Sequence, residues 1–211
     1  MLGRAAVAMW WDVPAEVRAE WEDWHSNEHM PERLGIPGFL RGTRWIALSA
    51  EPSGASSYFV LYETKDLATI TGGAYLERLN NPTPWSRKMM PHHRNMVRSL
   101  CRVRASYGGG VAHALATIRF SPAEGGALPE LPRRKGITGA HLLESQPTTG
   151  APTVEQQIRG MDSRADCVLL ICGYAVEAVQ EAVTGALSAL PGRRAGLYRC
   201  AYSLTSTVSR F

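Results

Sequence analysis

Residues 21–39, WEDWHSNEHMPERLGIPGF, decide how the chain is read. Val17, Trp21, Trp24 and Glu28 recur at helical spacing, Pro14 opens the helix with Asp12 as a nearby cap, and Gly35 ends it. At 3.6 residues per turn His25 and His29 stand one above the other, and Glu28 is three residues on from His25. Three groups able to exchange protons or bind a metal therefore share one side of one helix. Pro31 is expected to kink this helix or restart it for one turn. IPGF then turns the chain into a strand over about 40–48.

Upstream, Ala5 to Trp11 is an apolar run that suits a buried strand. Downstream, SSYFVLYET is a strand set off by hairpin chemistry in EPSGA, Asp66 to Leu79 is helical by period, and NNPTPW breaks it. From Val97 to Ala105 arginines alternate with smaller residues, which marks a strand with a solvated or lined face. GGG at 108–110 is the candidate linker. After it come a strand VAHALATIRF, a weak helix near 123–134, strands GITGAHLLES and ADCVLLICGY, a helix over 174–190 and a closing strand AGLYRCAYSLTST.

Each half thus reads β-α-β-β-α-β, the ferredoxin-like unit. The expectation is an α+β fold of two ferredoxin-like repeats, 1–107 and 111–211, packed sheet to sheet as an α+β barrel, because such a sheet carries helices on one face only. All six tryptophans and four of the six histidines lie in the first half, so the site is expected there and the second half is expected to be mainly structural.

Composition narrows the function classes. The net charge of +4 is modest and offers no basic cluster for nucleic acid. No window approaches a membrane span, and the apolar N-terminal run is cut short by Asp12 and Pro14, so it reads as a strand and not a signal peptide. The four cysteines have no CxxC spacing and sit in apolar runs, as buried free thiols would. These features point to a cytoplasmic protein.

The combination WHSNEHMPERLGIPGFLRGTRW, YFVLYE and PTPWSRKMMP resembles the dimeric α+β barrel superfamily, and within it the EthD-like proteins, over about residues 5–105. Members commonly show a helix bearing H-x3-H with a following proline, then a Pro-Gly-Phe turn into a strand. The superfamily includes cofactor-free oxygenases, lactone isomerases, polyketide cyclases and haem enzymes, so the likeness speaks to fold more than to function. It implies that His25, Glu28 and His29 line a pocket between sheet and helices, and it leaves a homodimer open.

Three readings of the cluster follow. In the first, His25 or His29 is a base oriented by Glu28, with no cofactor, for isomerisation, cyclisation or oxygenation of an aromatic or polyketide-like molecule. Trp24, Arg44, Tyr62, Trp85 and His92 are the expected substrate-binding residues, with Trp45 a further apolar wall. In the second, Trp21, Trp24 and His29 are core residues, Glu28 pairs with Arg33 or Arg44, and the protein is a non-catalytic binding or accessory protein. In the third, H-x-x-E-H holds a metal through His25 and His29, with Glu63, Glu77 or His92 as third ligand. Haem ligation by a histidine is open too, although no covalent attachment motif is present. His92 and His93, with Arg94 and Asn95, form a second small cluster read as a surface turn or as closing one end of the same pocket, and His113 and His141 are read as structural.

Overall fold

A computed structural model describes residues 1–48, 56–121, 131–147, 150–187 and 194–206. Eight antiparallel strands close into a barrel: β1 (Ala5–Val13), β2 (Phe39–Ala47), β3 (Ser56–Thr64), β4 (Arg94–Tyr107), β5 (Ala114–Phe120), β6 (Ile137–Ser145), β7 (Cys167–Gly173) and β8 (Arg194–Thr205). Their order around the barrel is β1-β3-β2-β8-β5-β7-β6-β4. The first four strands therefore run 4-1-3-2, and the second four repeat that order as 8-5-7-6. The halves do not merely face one another. The β2–β8 and β4–β6 ladders join their edges, so that backbone groups which would invite foreign strands are paired within the chain.

Closure makes β1 two-sided. Ala6, Ala8 and Trp10 point into the barrel with Trp45, Phe59, Leu115 and Leu170, while Val7, Met9, Trp11 and Val13 point outward beneath the helices. That is why the N-terminal run is continuously apolar and not alternating. A separate outer layer packs α7 (Val176–Leu187) on β5 and β7 through Ile118, Leu169, Ile171, Val179 and Val183. Where β7 leaves the sheet, a Cβ on Gly173 would lie 2.5 Å from the Gly136 carbonyl oxygen and 2.7 Å from Val179. Gly173→Ala is expected to lower stability by about 1–3 kcal/mol, read by urea denaturation, since backbone cannot swing aside as a side chain can.

Helices over the first half include α1 (Arg18–Trp24), α2 (Met30–Leu34), α3 (Leu67–Thr71), α4 (Gly73–Asn80) and α5 (Pro84–Met89). The expected 66–79 helix is broken at Gly72, whose extended backbone (φ −82°, ψ 166°) separates α3 from α4, and Asp66 caps α3 through the Thr69 amide. The turn before β2 is as read: Phe39 N–H reaches the Ile36 carbonyl at 3.1 Å, with Gly38 at φ 91°, a position that suits only a residue without Cβ. The hairpin expected at 51–55 and most of the 123–134 helix lie outside the described residues, and 131–134 are not helical.

One element went unread in the sequence, α6 (Val154–Arg159), between β6 and β7. Thr153 caps it in a capping box with Gln156, and the helix packs against α4 and the turn at residues 90–92. The chain after α6 lies along β4, with Arg98 N–H donating to the Ser163 carbonyl at 2.9 Å and Ser163 N–H to that of Met96 at 3.0 Å. It covers the stretch of β4 that β6 leaves unpaired, and it carries a helix of the second half onto the helices of the first. No helix is long and apolar enough to cross a membrane among the described residues.

Candidate functional site

The H-x3-H segment is not α-helical. His25–His29 form one π turn between α1 and α2, in which Met30 N–H bonds the His25 carbonyl five residues back. Pro31 explains the register. It has no N–H for the Asn27 carbonyl, and in an unbroken α-helix its ring would press on that oxygen. Widening the preceding turn relieves the clash and keeps the helix continuous, so the expected kink becomes an inserted residue. The same widening brings Trp24 and His29, five apart in sequence, to a ring separation of 4.6 Å, with His25 and His29 at 5.5 Å.

Between this turn and the outer face of the first-half sheet lies a small cavity of about 20 Å³, room for about one water. Trp11, His25, His29, Arg33, Tyr62 and His93 line it, and each carries a buried polar atom with no hydrogen-bond partner among the described residues: Trp11 Nε1, His25 Nε2, His29 Nδ1, Arg33 Nη1, Tyr62 Oη and His93 Nδ1. Such atoms occur only a few per hundred residues, so six gathered around one cavity mark a place suited to a polar guest, water included.

The bonds these residues do make assign their protons. Trp21 Nε1–H donates to His93 Nε2 at 2.9 Å, so neutral His93 carries its hydrogen on Nδ1. Arg44, a donor only, stands with Nη1 3.4 Å from His25 Nδ1, which puts the His25 hydrogen on Nε2. Burial holds both imidazoles below their ordinary pKa, aided by Arg44 beside His25 and Arg159 near His93, which falls to about 3. His29 is lowered by burial and by Arg33 in the same way. Burial likewise pushes the Tyr62 phenol up, so it stays protonated. The atoms of Trp11, His25 and His93 without a hydrogen bond are therefore donors, as is Arg33 Nη1, 3.6 Å from Glu32 Oε2; Tyr62 keeps its hydroxyl hydrogen, and no hydrogen bond fixes the His29 tautomer, which leaves buried Nδ1 free to accept.

One wall is ionic. Arg33, 2% exposed, pairs with Glu155 of α6, and Glu155 also meets Arg159, whose guanidinium binds Asp162 at 2.8 and 3.0 Å. Arg98 donates to Tyr75 Oη at 3.1 Å alongside. The second half, expected to be mainly structural, thus supplies Glu155 and Arg159 to the lining.

The other expected residues fall as follows. Glu28 accepts from Thr83 Oγ1 at 2.5 Å and bonds neither histidine, so the orienting role read for it has no contact behind it. Trp24 is fully buried one layer behind His29, its indole N–H donating to Ser86 Oγ at 3.2 Å. Trp85 is partly buried against the outer core, away from the cavity, and Trp45 faces the barrel interior. Of the expected substrate-binding set Tyr62 lines the cavity, and Arg44 reaches it through His25. His92, half-buried, lines neither the cavity nor the cleft; His93, its neighbour, turns inward against Trp11 at 4.9 Å, because the backbone of 90–92 coils as a short 3-10 turn that aims the two rings differently.

The metal reading finds no support in the donor set. Among the described residues no three His, Cys, Asp or Glu side chains group as ligands. Glu63 is held by Arg41 and Glu77 is exposed. The four cysteines are free thiols, three of them buried.

A wider, open cleft of about 690 Å³ adjoins the cavity at the barrel end where β1 finishes and β8 begins. Trp11, His93, Met96 and Arg159 border both spaces.

No family model matches the chain, so the EthD-like likeness stands without one, and no curated protein is similar to it in sequence. Solved structures are similar in fold. One, "anthrone oxidase-like protein", matches with a TM-score of 0.56 at 10% identity over 97% of this chain and 94% of its own. A "putative monooxygenase" of Fusobacterium nucleatum matches at 0.55 and 8% identity over 97% and 96%, and one of Lactobacillus acidophilus at 0.51 and 9% over 96% and 97%. At such identities the likeness is one of α+β barrel architecture over whole chains.

Proposed function

We propose that the protein is a small-molecule enzyme that abstracts a proton from an aromatic or polyketide-like substrate without a resident cofactor, for oxygenation by dioxygen. The observation that carries this is the ring of unpaired buried donors around one uncommitted imidazole nitrogen. His29 Nδ1 takes a proton from an acidified C–H or a phenol. The electron pair left behind moves onto the substrate oxygen, where His25 Nε2–H, His93 Nδ1–H and Tyr62 Oη–H meet it in a site with little water. His29 is a weak base while the cavity is empty, and the enolate formed beside it raises its pKa as it accepts the proton. With an anthrone-type methylene, the enolate then reacts with dioxygen; one oxygen atom replaces the two hydrogens as a carbonyl and the other leaves with them as water. The names of two kinds of fold neighbour, oxidase-like and monooxygenase, agree with this chemistry.

The body of the substrate lies in the cleft against Trp11 and His93, and the side chains between the two spaces, Met96 and Arg159 among them, must shift for the reacting ring to reach His29, because the cavity holds about one water. The repeated 4-1-3-2 strand order supports the companion reading of two ferredoxin-like repeats, 1–107 and 111–211, with the reacting groups in the first. The cavity's size favours a second reading, a binding or accessory protein whose histidines only pack.

Oxygen uptake with anthrone as probe separates the two. His29→Ala is expected to lose about 10²–10⁴-fold in turnover while remaining folded with a lowered melting temperature, since its ring packs on Trp24, whereas Glu28→Gln retains activity. Loss of stability with no change in turnover, or no uptake by the wild type with any anthrone or phenol probe, would sink the enzymatic reading. A stoichiometric metal or haem in untagged protein would overturn the cofactor-free part.

A further inference from the structure

Two arginines in the cleft have no role in proton transfer at His29. Arg119 of β5 and Arg194 of β8 sit directly opposite each other in the antiparallel ladder. Like charges in that relation repel, and an arrangement that costs stability calls for a compensating partner. Among the described residues neither side chain makes an ion pair or a hydrogen bond, whereas the arginines lining the neighbouring cavity, Arg33 and Arg159, both have acidic partners. Arg119 is also half-buried, so part of its hydration is gone, and burial with Arg194 nearby lowers its pKa. Its guanidinium lies 5.0 Å over the Trp10 ring, and Trp10 is itself fixed by an indole N–H bond of 3.1 Å to Thr117 Oγ1. Both arginines line the 690 Å³ cleft that ends at Trp11 and His93.

We propose that the cleft binds an aromatic organic anion, whose carboxylate or phosphate bridges Arg119 and Arg194 while its flat body extends toward Trp11 and His93. The guanidinium pair offers donors in planar forks, the geometry that such oxyanions accept, and the anion cancels the repulsion between the strands. For the reaction above, this makes the substrate an acidic aromatic compound. That extension rests on the proposed function; the binding itself does not.

Calorimetric titration with 2-naphthoate tests it, with neutral 2-naphthamide as control. Naphthoate is expected to bind the wild type at least ten-fold more tightly than the amide. Arg119→Gln and Arg194→Gln should each weaken naphthoate by ten-fold or more and leave the amide unchanged, while Arg119→Lys recovers part of the loss. Both glutamine variants should melt at or above the wild-type temperature, because the cross-strand repulsion is gone. Arg194 is exposed, so its variant carries the test should Arg119→Gln fold poorly. Competition by inorganic phosphate assigns a phosphate group to the ligand, and its failure to compete assigns a carboxylate. Equal binding of naphthoate and naphthamide, or naphthoate binding indifferent to Arg194→Gln, overturns the proposal. His29→Ala should bind naphthoate as the wild type does, and a wild type that binds naphthoate yet turns over no anthrone or phenol probe would refute the enzymatic reading and leave the anion site standing.

Discussion

At pH 5 the protein is expected to be several kcal/mol less stable than at pH 7.5. His25, His29, His93 and His141 are buried, and burial sets each below its ordinary pKa, with His93 and His141 at about 3. In the unfolded chain the same rings titrate near 6.5, so between that value and the folded pKa the unfolded state binds more protons. Their full contribution is therefore present above about pH 6.5 and is lost as the pH falls through the window from 6.5 toward 3. At pH 5 each ring lies about 1.5 units into the window, a loss of up to about 2 kcal/mol apiece. Four such losses together rival the entire stability of an ordinary domain. Urea midpoints at pH 7.5, 6 and 5 would show the slope, and His93→Gln should flatten it. A midpoint unchanged from pH 7.5 to pH 5 would mean that these rings are hydrated or already charged.

Glu155→Ala is the second large effect. Removing the carboxylate leaves the almost wholly enclosed Arg33 guanidinium with the longer pair to Glu32 at 3.6 Å, and unpairing a buried ion typically costs about 3–5 kcal/mol, an upper bound here because Glu32 stays. Arg159 retains Asp162, so the loss centres on Arg33. Replacing both partners with apolar residues of similar length, Arg33→Met with Glu155→Leu, should restore most of the stability because no charge is left without a counter-ion. Denaturant unfolding of the three proteins decides it. A single variant within about 1 kcal/mol of the wild type would show that Glu32 or water compensates the Arg33 charge.

Much of the first half was legible. The strand at 56–64 and the Pro-Gly turn into β2 follow from local rules, because period two and a positive φ at Gly38 are properties of a few neighbouring residues. The two histidines of H-x3-H were readable as a pair for the same reason. Their setting was not. The π turn needs the clash between Pro31 and the Asn27 carbonyl to be resolved within a packed helix, and periodicity counted at 3.6 does not reveal a five-residue closure. His92 and His93 are adjacent and identical in type, so only the coil of the backbone at 90–92 could say which one turns inward. Trp11 was read simply as part of an apolar strand, although its neighbour Trp10 points into the barrel and it points at the histidines.

By itself the sequence determined the sequence-local matters: an α+β chain of repeated pattern, a histidine pair on a helix over a sheet, and an aromatic-rich first half. Tertiary structure alone decided that Glu155, 122 residues from Arg33, seals the cavity, and that Arg119 and Arg194 confront each other across a ladder. Local propensities act over one or two turns of chain. Which charges share a dry interior is settled by how the barrel closes, since that closure removes the water that would otherwise screen them.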